Sequence, residues 1–224
     1  AVAVGIFLAT IDGSIVNIAL PTLVREFNQE LAVVEWVVLV YLLTISTSIL
    51  GVGRLADIIG KKVLYLVGIV VFTLSSMLCG LSQDVYILIM FRVVQAVGAT
   101  LMMALGAAIV TEAFPTNERG KALGINGLMV SLGVIIGPTI GGIILEGLSW
   151  HWLFFNLPVG IVGIFMVARY VPQVKSARKQ KFDIWGALVL CAALISFLFA
   201  LTTGQRGGFS QPVVWILGLI SLVA

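Results

Sequence analysis

Gly51-Val-Gly-Arg-Leu-Ala-Asp-Ile-Ile-Gly-Lys-Lys62 decides how the rest of the chain is read. Taken alone, Gly51-x-Gly53-x-x-Ala56 fits the glycine pattern of a dinucleotide-binding turn, which needs a strand before it, a helix after it and a soluble βαβ unit around it. The flanks offer neither. A mostly apolar run from Glu35 leads in, and a second begins at Val63. The stretch is a charged, glycine-punctuated connection between two long apolar segments.

Composition identifies the surroundings of those segments. The 224 residues are 60% hydrophobic and 10% charged, with a mean hydropathy of +1.16, whereas soluble domains carry about 25% charged residues. This is an integral membrane protein. The net charge of +3 raises nucleic acid as a partner, but the basic residues are dispersed among short connections, which excludes it. The sequence opens on Ala1 within one apolar run and stops at Ala224 within another. It is expected to be a fragment, and its first helix is not a signal peptide. Cys79 and Cys191 lie inside apolar runs with no spacing typical of a metal site or disulfide, and read as buried small side chains.

About twenty apolar residues cross a bilayer as a helix. That measure gives seven full spans and one cut short, at 1–21, 34–53, 63–81, 86–110, 121–145, 153–172, 183–203 and 212–224. Helices are required because lipid offers the backbone no hydrogen-bond partners. Alternate connections hold Arg54, Lys61, Lys62, Arg119, Lys121, Lys175, Arg178, Lys179 and Lys181, with Arg169 at a helix end, so ten of the thirteen basic residues share one side. The positive-inside rule makes that side cytoplasmic and starts the first helix there. Glu26, Glu30, Glu35, Asp84 and Glu146 fall on the opposite side, with Trp150 and Trp152 as members of an interfacial aromatic belt.

Two charges remain inside the bilayer. Asp12 in the first span and Arg92 in the fourth would each cost about 2.5–3.5 kcal/mol at a helix centre, a cost that marks a pathway or a pairing. If spans one to three and four to six are two triplets of opposite orientation, each charge lies on the first helix of its triplet, as expected of an inverted-repeat transporter. Arg92, Gln95, Ala99, Met103 and Gly106 form a narrow stripe at helical spacing, which suits a cavity lining or a helix contact. Thr10, Ser14 and Asn17 share a side of the first span roughly opposite Asp12, so both sets cannot face one cavity; interhelical hydrogen bonding is the plainer role for them.

The fifth span carries Gly124, Gly133, Gly137, Gly141 and Gly142 around Pro138, with Gly133, Gly137 and Gly141 repeating every four residues. Small residues at that spacing let a second helix approach closely, and Pro138 removes a backbone donor and presses on the Val134 carbonyl, so a bent helix is expected. A static bundle contact and a moving seal both fit. His151, the only histidine, stands between two tryptophans, where an interfacial role is more natural than a proton relay. There is no second His for a metal pair, no Gly-x-Ser-x-Gly elbow and no acid cluster, so the chain is not expected to be an enzyme.

These motifs together resemble the major facilitator superfamily, and within it the fourteen-helix drug:proton antiporter branch, nearly end to end. Gly53-Arg-Leu-Ala-Asp57-Ile-Ile-Gly60-Lys61-Lys62 is similar to the signature between helices 2 and 3, departing at Ile58, where the family has a basic residue. Leu88-x-x-x-Arg92-x-x-Gln95-Ala96-x-Gly98-Ala99 resembles the helix 4 motif, with Ala96 in place of glycine. Gly124-x8-Gly133-x3-Gly137-Pro138-x-x-Gly141-Gly142 matches the antiporter motif of helix 5. Asp12-Gly-Ser-Ile-Val-Asn17-Ile-Ala-Leu-Pro21 resembles the branch's helix 1 motif, and Trp150-His-Trp152-x-Phe-Phe-Asn156-x-Pro158-x-Gly160 its entry to helix 6, with His151 where Arg is common.

The resemblance implies an all-α membrane protein: a six-helix bundle of two inverted three-helix repeats over 1–172, a basic cytoplasmic linker at 173–182, and two additional transmembrane helices over 183–224, the last truncated. It implies a multi-pass protein of a bacterial plasma membrane that exports small lipophilic or cationic compounds by alternating access, with the proton gradient as energy source and no cofactor or metal. It assigns proton coupling to Asp12 and Arg92, the cytoplasmic gate to Gly53, Asp57, Gly60, Lys61 and Lys62, and the seal between bundles to the Gly124–Gly142 motif. Asn17, Gln95 and Met103 are candidates for the substrate cavity, whose other half belongs to a missing C-terminal six-helix bundle. Asp57 reads either as a latch on that bundle or as a solvated cap of the next helix. Another cargo, such as a lipid, siderophore, amino acid or self-made antibiotic, and a receptor or scaffold that no longer transports, are the alternatives.

Overall fold

The structure, a computed structural model, describes residues 1–172, 184–208 and 212–223. The expected linker at 173–182, with Lys175, Arg178, Lys179 and Lys181, lies outside the described residues. The elements among them are all helical: α1 (Val2–Phe27), the single turn α2 (Leu31–Val34), α3 (Trp36–Ile59), α4 (Lys61–Gly80), α5 (Val85–Ala113), α6 (Arg119–Gly147), a 3-10 segment (Trp150–Phe154), α7 (Leu157–Tyr170), α8 (Ile184–Gly207) and α9 (Pro212–Val223). Six stretches among the described residues are long and apolar enough to cross a membrane: Val2–Phe27, Leu31–Ile49, Lys61–Gly80, Val85–Ala113, Arg119–Gly147 and Trp150–Tyr170. Large apolar side chains such as Met90, Ile135, Ile143 and Phe165 lie on the outer surface of the bundle, which is favourable only against lipid or another apolar surface.

Several helices run past the ends that the apolar pattern suggests. Pro21 lies inside α1 and does not end it; the helix stops about two turns later at Asn28, in the left-handed conformation with its N–H on the Val24 carbonyl, a cap that Asn tolerates. At 29 residues each, α5 and α6 extend roughly 43 Å, beyond a hydrocarbon core of about 30 Å. The start of α5 is fixed by Asp84, whose Oδ1 accepts from the backbone N–H of Tyr86 at 2.7 Å and of Ile87 at 3.4 Å.

The packing follows the two-triplet reading in part, since the most extensive contact, α4 with α5, has only a slight counterpart between α7 and α1. The sets α1, α3, α4 and α5, α6, α7 exchange under an inverted repeat, which turns the contact of α1 with α6 into that of α5 with α3; both are extensive, and α1 meets α5 at the centre. Buried apolar residues form two separate clusters stacked along the bundle. One contains Ile6 and Ala9 of α1, Tyr65 and Phe72 of α4, and Ala96 and Met102 of α5. The other contains Ile15 and Val16 of α1, Cys79 of α4, Leu88 of α5, and Trp150 and Phe154. α8 leans on α3, where the rings of Phe199 and Trp36 lie 5.3 Å apart, and α9 packs on α8.

Candidate functional site

Between the two apolar clusters lies a polar layer centred on Asp12, 1% exposed, and Arg92, fully buried. Arg92 Nη1 donates to Asp12 Oδ2 at 2.5 Å and to Gln95 Oε1 at 2.8 Å, while Nε donates to the Val37 carbonyl at 3.1 Å. The guanidinium carbon stands 4.1 Å from the centroid of the Tyr41 ring, a cation–π contact. Gln95 Nε2 donates to Asp12 Oδ1 at 2.9 Å, and the Cys79 thiol reaches Gln95 Oε1 at 3.6 Å. Asn156 Nδ2 completes the layer, donating to Asp12 Oδ1 at 3.2 Å and to Ser76 Oγ at 3.0 Å.

Helical spacing builds this arrangement. Arg92 and Gln95, three apart on α5, share the face turned to α1, and Asp12 stands on the α1 side that meets them. The carboxylate therefore accepts three hydrogen bonds, and the ion pair is formally neutral. Among the described residues no acceptor reaches the buried Arg92 Nη2, an unmet donor that a buried guanidinium keeps at a cost unless a small acceptor reaches it. Asn156, Ser76 and Tyr41 were not legible as site residues: Asn156 appears only as one letter of the helix 6 motif, and single Ser and Tyr residues in apolar runs carry no pattern.

The opposite side of α1 is held by α6. Ser14 Oγ donates to the Gly133 carbonyl at 2.9 Å. A Cβ at Gly133 would collide with Thr10, one at Gly137 with Ser14, and one at Gly141 would sit 2.8 Å from Ile15 Cγ1. Three residues of the glycine motif thus close on α1, which separates Thr10 and Ser14 from Asp12 as their spacing requires. Gly124 and Gly142 belong to the far face of the same helix, where no described residue lies within 4 Å of an added Cβ; Pro138 is half-buried within the helix.

The connection at Gly51–Lys62 is shorter than the glycines and charges suggest. Gly53, Arg54 and Asp57 all lie inside α3, with Gly53 and Arg54 exposed and Asp57 half-buried; only Gly60 breaks the helices. A mid-helix Gly53 supplies no turn, since the chain reverses on Gly60 at φ 101°, ψ 134°, a conformation reserved for glycine. Asp57 does not cap the next helix either, because Gly60 occupies the N-cap and no side chain bonds there. Lys61 pairs with Glu112 near the end of α5, and Lys62 Nζ donates to the Ala168 carbonyl at 2.9 Å, in the last turn of α7, where the helix dipole favours a cation.

Asn17 is exposed and its Nδ2 donates to the Gly13 carbonyl at 3.1 Å, Met103 is half-buried beside the first apolar cluster, and Gln95 is enclosed in the polar layer, so no one surface exposes all three. Trp150 departs from the belt expectation: it is a core residue, edge-on to Phe27 with centroids 5.3 Å apart, while Trp152 is exposed. His151 is exposed, stacked on Trp150 at 4.0 Å, with Nδ1 2.5 Å from Ser149 Oγ.

A family model described as Major Facilitator Superfamily matches residues 2–224. The riboflavin transporter RibZ of Clostridioides difficile (strain 630) is 41% identical over 202 residues, 89% of this chain and 44% of that protein. The multidrug transporter protein MdtP of Bacillus subtilis (strain 168) is 34% identical over 220 residues, 98% of this chain and 40% of that protein. The chain spans about two fifths of the length of the curated relatives it matches. In fold it is similar to a bacterial homolog of the human lysosomal transporter Spinster, crystallised in an inward-facing and occupied conformation, with a TM-score of 0.60 at 18% identity over 99% of this chain and 57% of that one.

Proposed function

The chain belongs to the major facilitator superfamily, and on that premise we propose that it is the N-terminal part of a secondary transporter exporting small lipophilic or cationic compounds in exchange for protons by alternating access. The observation that carries the reading is the buried Asp12–Arg92 pair on the two helices that meet at the centre of the bundle. An enclosed acid whose charge depends on a proton is a means of linking proton uptake to a change in helix packing. The bundle over 1–172 supplies half of the cavity, a second six-helix bundle of the whole protein the other half, and the helices over 183–224 join them through the linker at 173–182. The N-terminus and the Lys61–Lys62 end face the cytoplasm.

Within this reading the far face of α6, with Gly124 and Gly142, slides on the second bundle, while Asp57, half-buried beside exposed Arg54, latches onto it when the inner gate closes. Efflux from energised vesicles containing the full-length protein tests the proposal. Transport collapses on adding an uncoupler and is abolished by Asp12→Asn; undiminished uncoupled efflux defeats proton antiport. Asp57→Asn cuts transport while substrate binding persists, and an equal loss of binding removes the latch.

A second reading, with another cargo, draws on two observations. RibZ, a riboflavin transporter, is 41% identical against 34% for MdtP. The Asp12 carboxylate is also already occupied by Arg92, Gln95 and Asn156, so it offers a cationic substrate no free counter-ion. Competition between riboflavin and lipophilic cations in the same vesicles separates the two.

A further inference from the structure

Asp12 is met by donors of different adaptability. Its Oδ2 faces Arg92 Nη1, a guanidinium nitrogen with no capacity to accept, so an added proton does not settle there. Oδ1 faces two amide N–H groups, from Gln95 at 2.9 Å and Asn156 at 3.2 Å. A proton on Oδ1 turns that oxygen into a donor, and one of the two amides must then present its oxygen instead.

Gln95 is pinned. Its Oε1 accepts from Arg92 Nη1 at 2.8 Å and from the Cys79 thiol at 3.6 Å, so turning the amide would set an NH2 group against the guanidinium. Asn156 is not pinned in this way. Its Nδ2 donates to Ser76 Oγ at 3.0 Å, and a hydroxyl donates as readily as it accepts. Ser76 Oγ in turn donates to the Phe154 carbonyl at 2.8 Å. That carbonyl also accepts from the Asn156 backbone N–H at 2.8 Å across Phe155, at φ −80°, ψ 63°, the geometry of an inverse γ-turn.

Resting on the proton-antiport reading, we infer that Asn156 and Ser76 act as a hydrogen-bond inverter, sensing protonation of Asp12 and passing it to the turn from which α7 begins. In the charged state Asn156 Nδ2 donates to both Asp12 Oδ1 and Ser76 Oγ, and Ser76 donates to Phe154. On protonation the Asn156 amide rotates, its Oδ1 accepts from the Asp12 O–H and from the Ser76 O–H, and the Phe154 carbonyl loses its bond from α4. The proton stays on Asp12 and no covalent bond breaks. The γ-turn is then held to the bundle by one bond fewer. The charged and titratable groups facing Asp12 are Arg92 from α5, Tyr41 from α3 and Cys79 from α4; none of them offers the amide reversal. Asn156 and Ser76 are positioning residues in this scheme.

pH-difference infrared spectroscopy of the full-length protein in lipid tests it. The carboxyl C=O band that Asp12→Asn removes reports the protonated acid, and donation to an amide oxygen lowers its wavenumber. We expect the band to move to higher wavenumber in Asn156→Leu, which removes the acceptor, and to hold its place in Ser76→Ala, where the reversed amide still accepts from the Asp12 O–H, with uncoupler-sensitive transport reduced about tenfold in each. Ser75→Ala is the control for Ser76→Ala: Ser75 is equally buried on the same helix, but among the described residues its hydroxyl serves Val71 and Phe72 of that helix, and its transport is unchanged. Asn156→Ala, which also removes the acceptor, carries the band test if Asn156→Leu does not fold. A band unmoved in Asn156→Leu, a transport loss in Ser75→Ala equal to that in Ser76→Ala, or no titrating band at all overturns the inverter. Uncoupler-sensitive transport without the band shift leaves antiport standing and removes the inverter; the shift without uncoupler sensitivity does the reverse.

Discussion

Asp12–Arg92 and Lys61–Glu112 both join a carboxylate to a cation across distant parts of the chain, 80 and 51 residues apart. The first pair is sealed between two apolar clusters, with both side chains at 0% exposure; the second, at the end of the bundle, is 27% and 36% exposed. Solvent makes the difference. Water and salt at the exposed pair compete for both charges and leave about 0–1 kcal/mol. At the buried pair each charge has given up its hydration, so the partners sustain one another, and losing either strands the other.

The comparison breaks most visibly if one buried partner is removed. Arg92→Met leaves Asp12 without its counter-ion and should lower stability by about 3–5 kcal/mol in detergent unfolding, whereas the double change Asp12→Leu with Arg92→Met should recover most of that loss. A single change no worse than the double would mean that water already reaches the pair. Next comes the helix that holds Asp12 in place. Gly137→Val drives a side chain into Ser14 on α1 and should cost about 1–3 kcal/mol by overpacking; thermal unfolding reads it, and equal stability would mean that α6 yields freely. The smallest effect is Lys61→Ala, below about 1 kcal/mol and fading with salt. A larger, salt-independent loss would show the exposed pair to be covered in the whole protein.

The same contrast explains what the sequence made legible. Asp12 and Arg92 stood out because a charge in an apolar run has few explanations, and Gly133, Gly137 and Gly141 because their four-residue spacing maps onto one helix face. Helix ends were less visible. Pro21 and the polar Arg54–Asp57 turn look like breaks, yet a membrane helix continues through the headgroups, and its end is set by a backbone cap such as Asn28 or Gly60. Trp150 resembled a belt residue because its amphipathic ring suits an interface, while its edge-on packing against Phe27 and Phe154 is a tertiary outcome. Asn156 and Ser76 were hidden for the same reason: their roles exist only once α4 and α7 meet.

The 80-residue separation of Asp12 from Arg92 also has a consequence for biogenesis. At a synthesis rate of about 5–20 residues per second, Asp12 leaves the ribosome roughly 4–16 s before the arginine that neutralises it. α1 must therefore enter the bilayer, or wait beside the insertion machinery, carrying an acid without its cation. The arrival of α5 is then a checkpoint in assembly, because it is the first moment at which the ionised acid of α1 can be held at the membrane centre against the cation that pairs with it here.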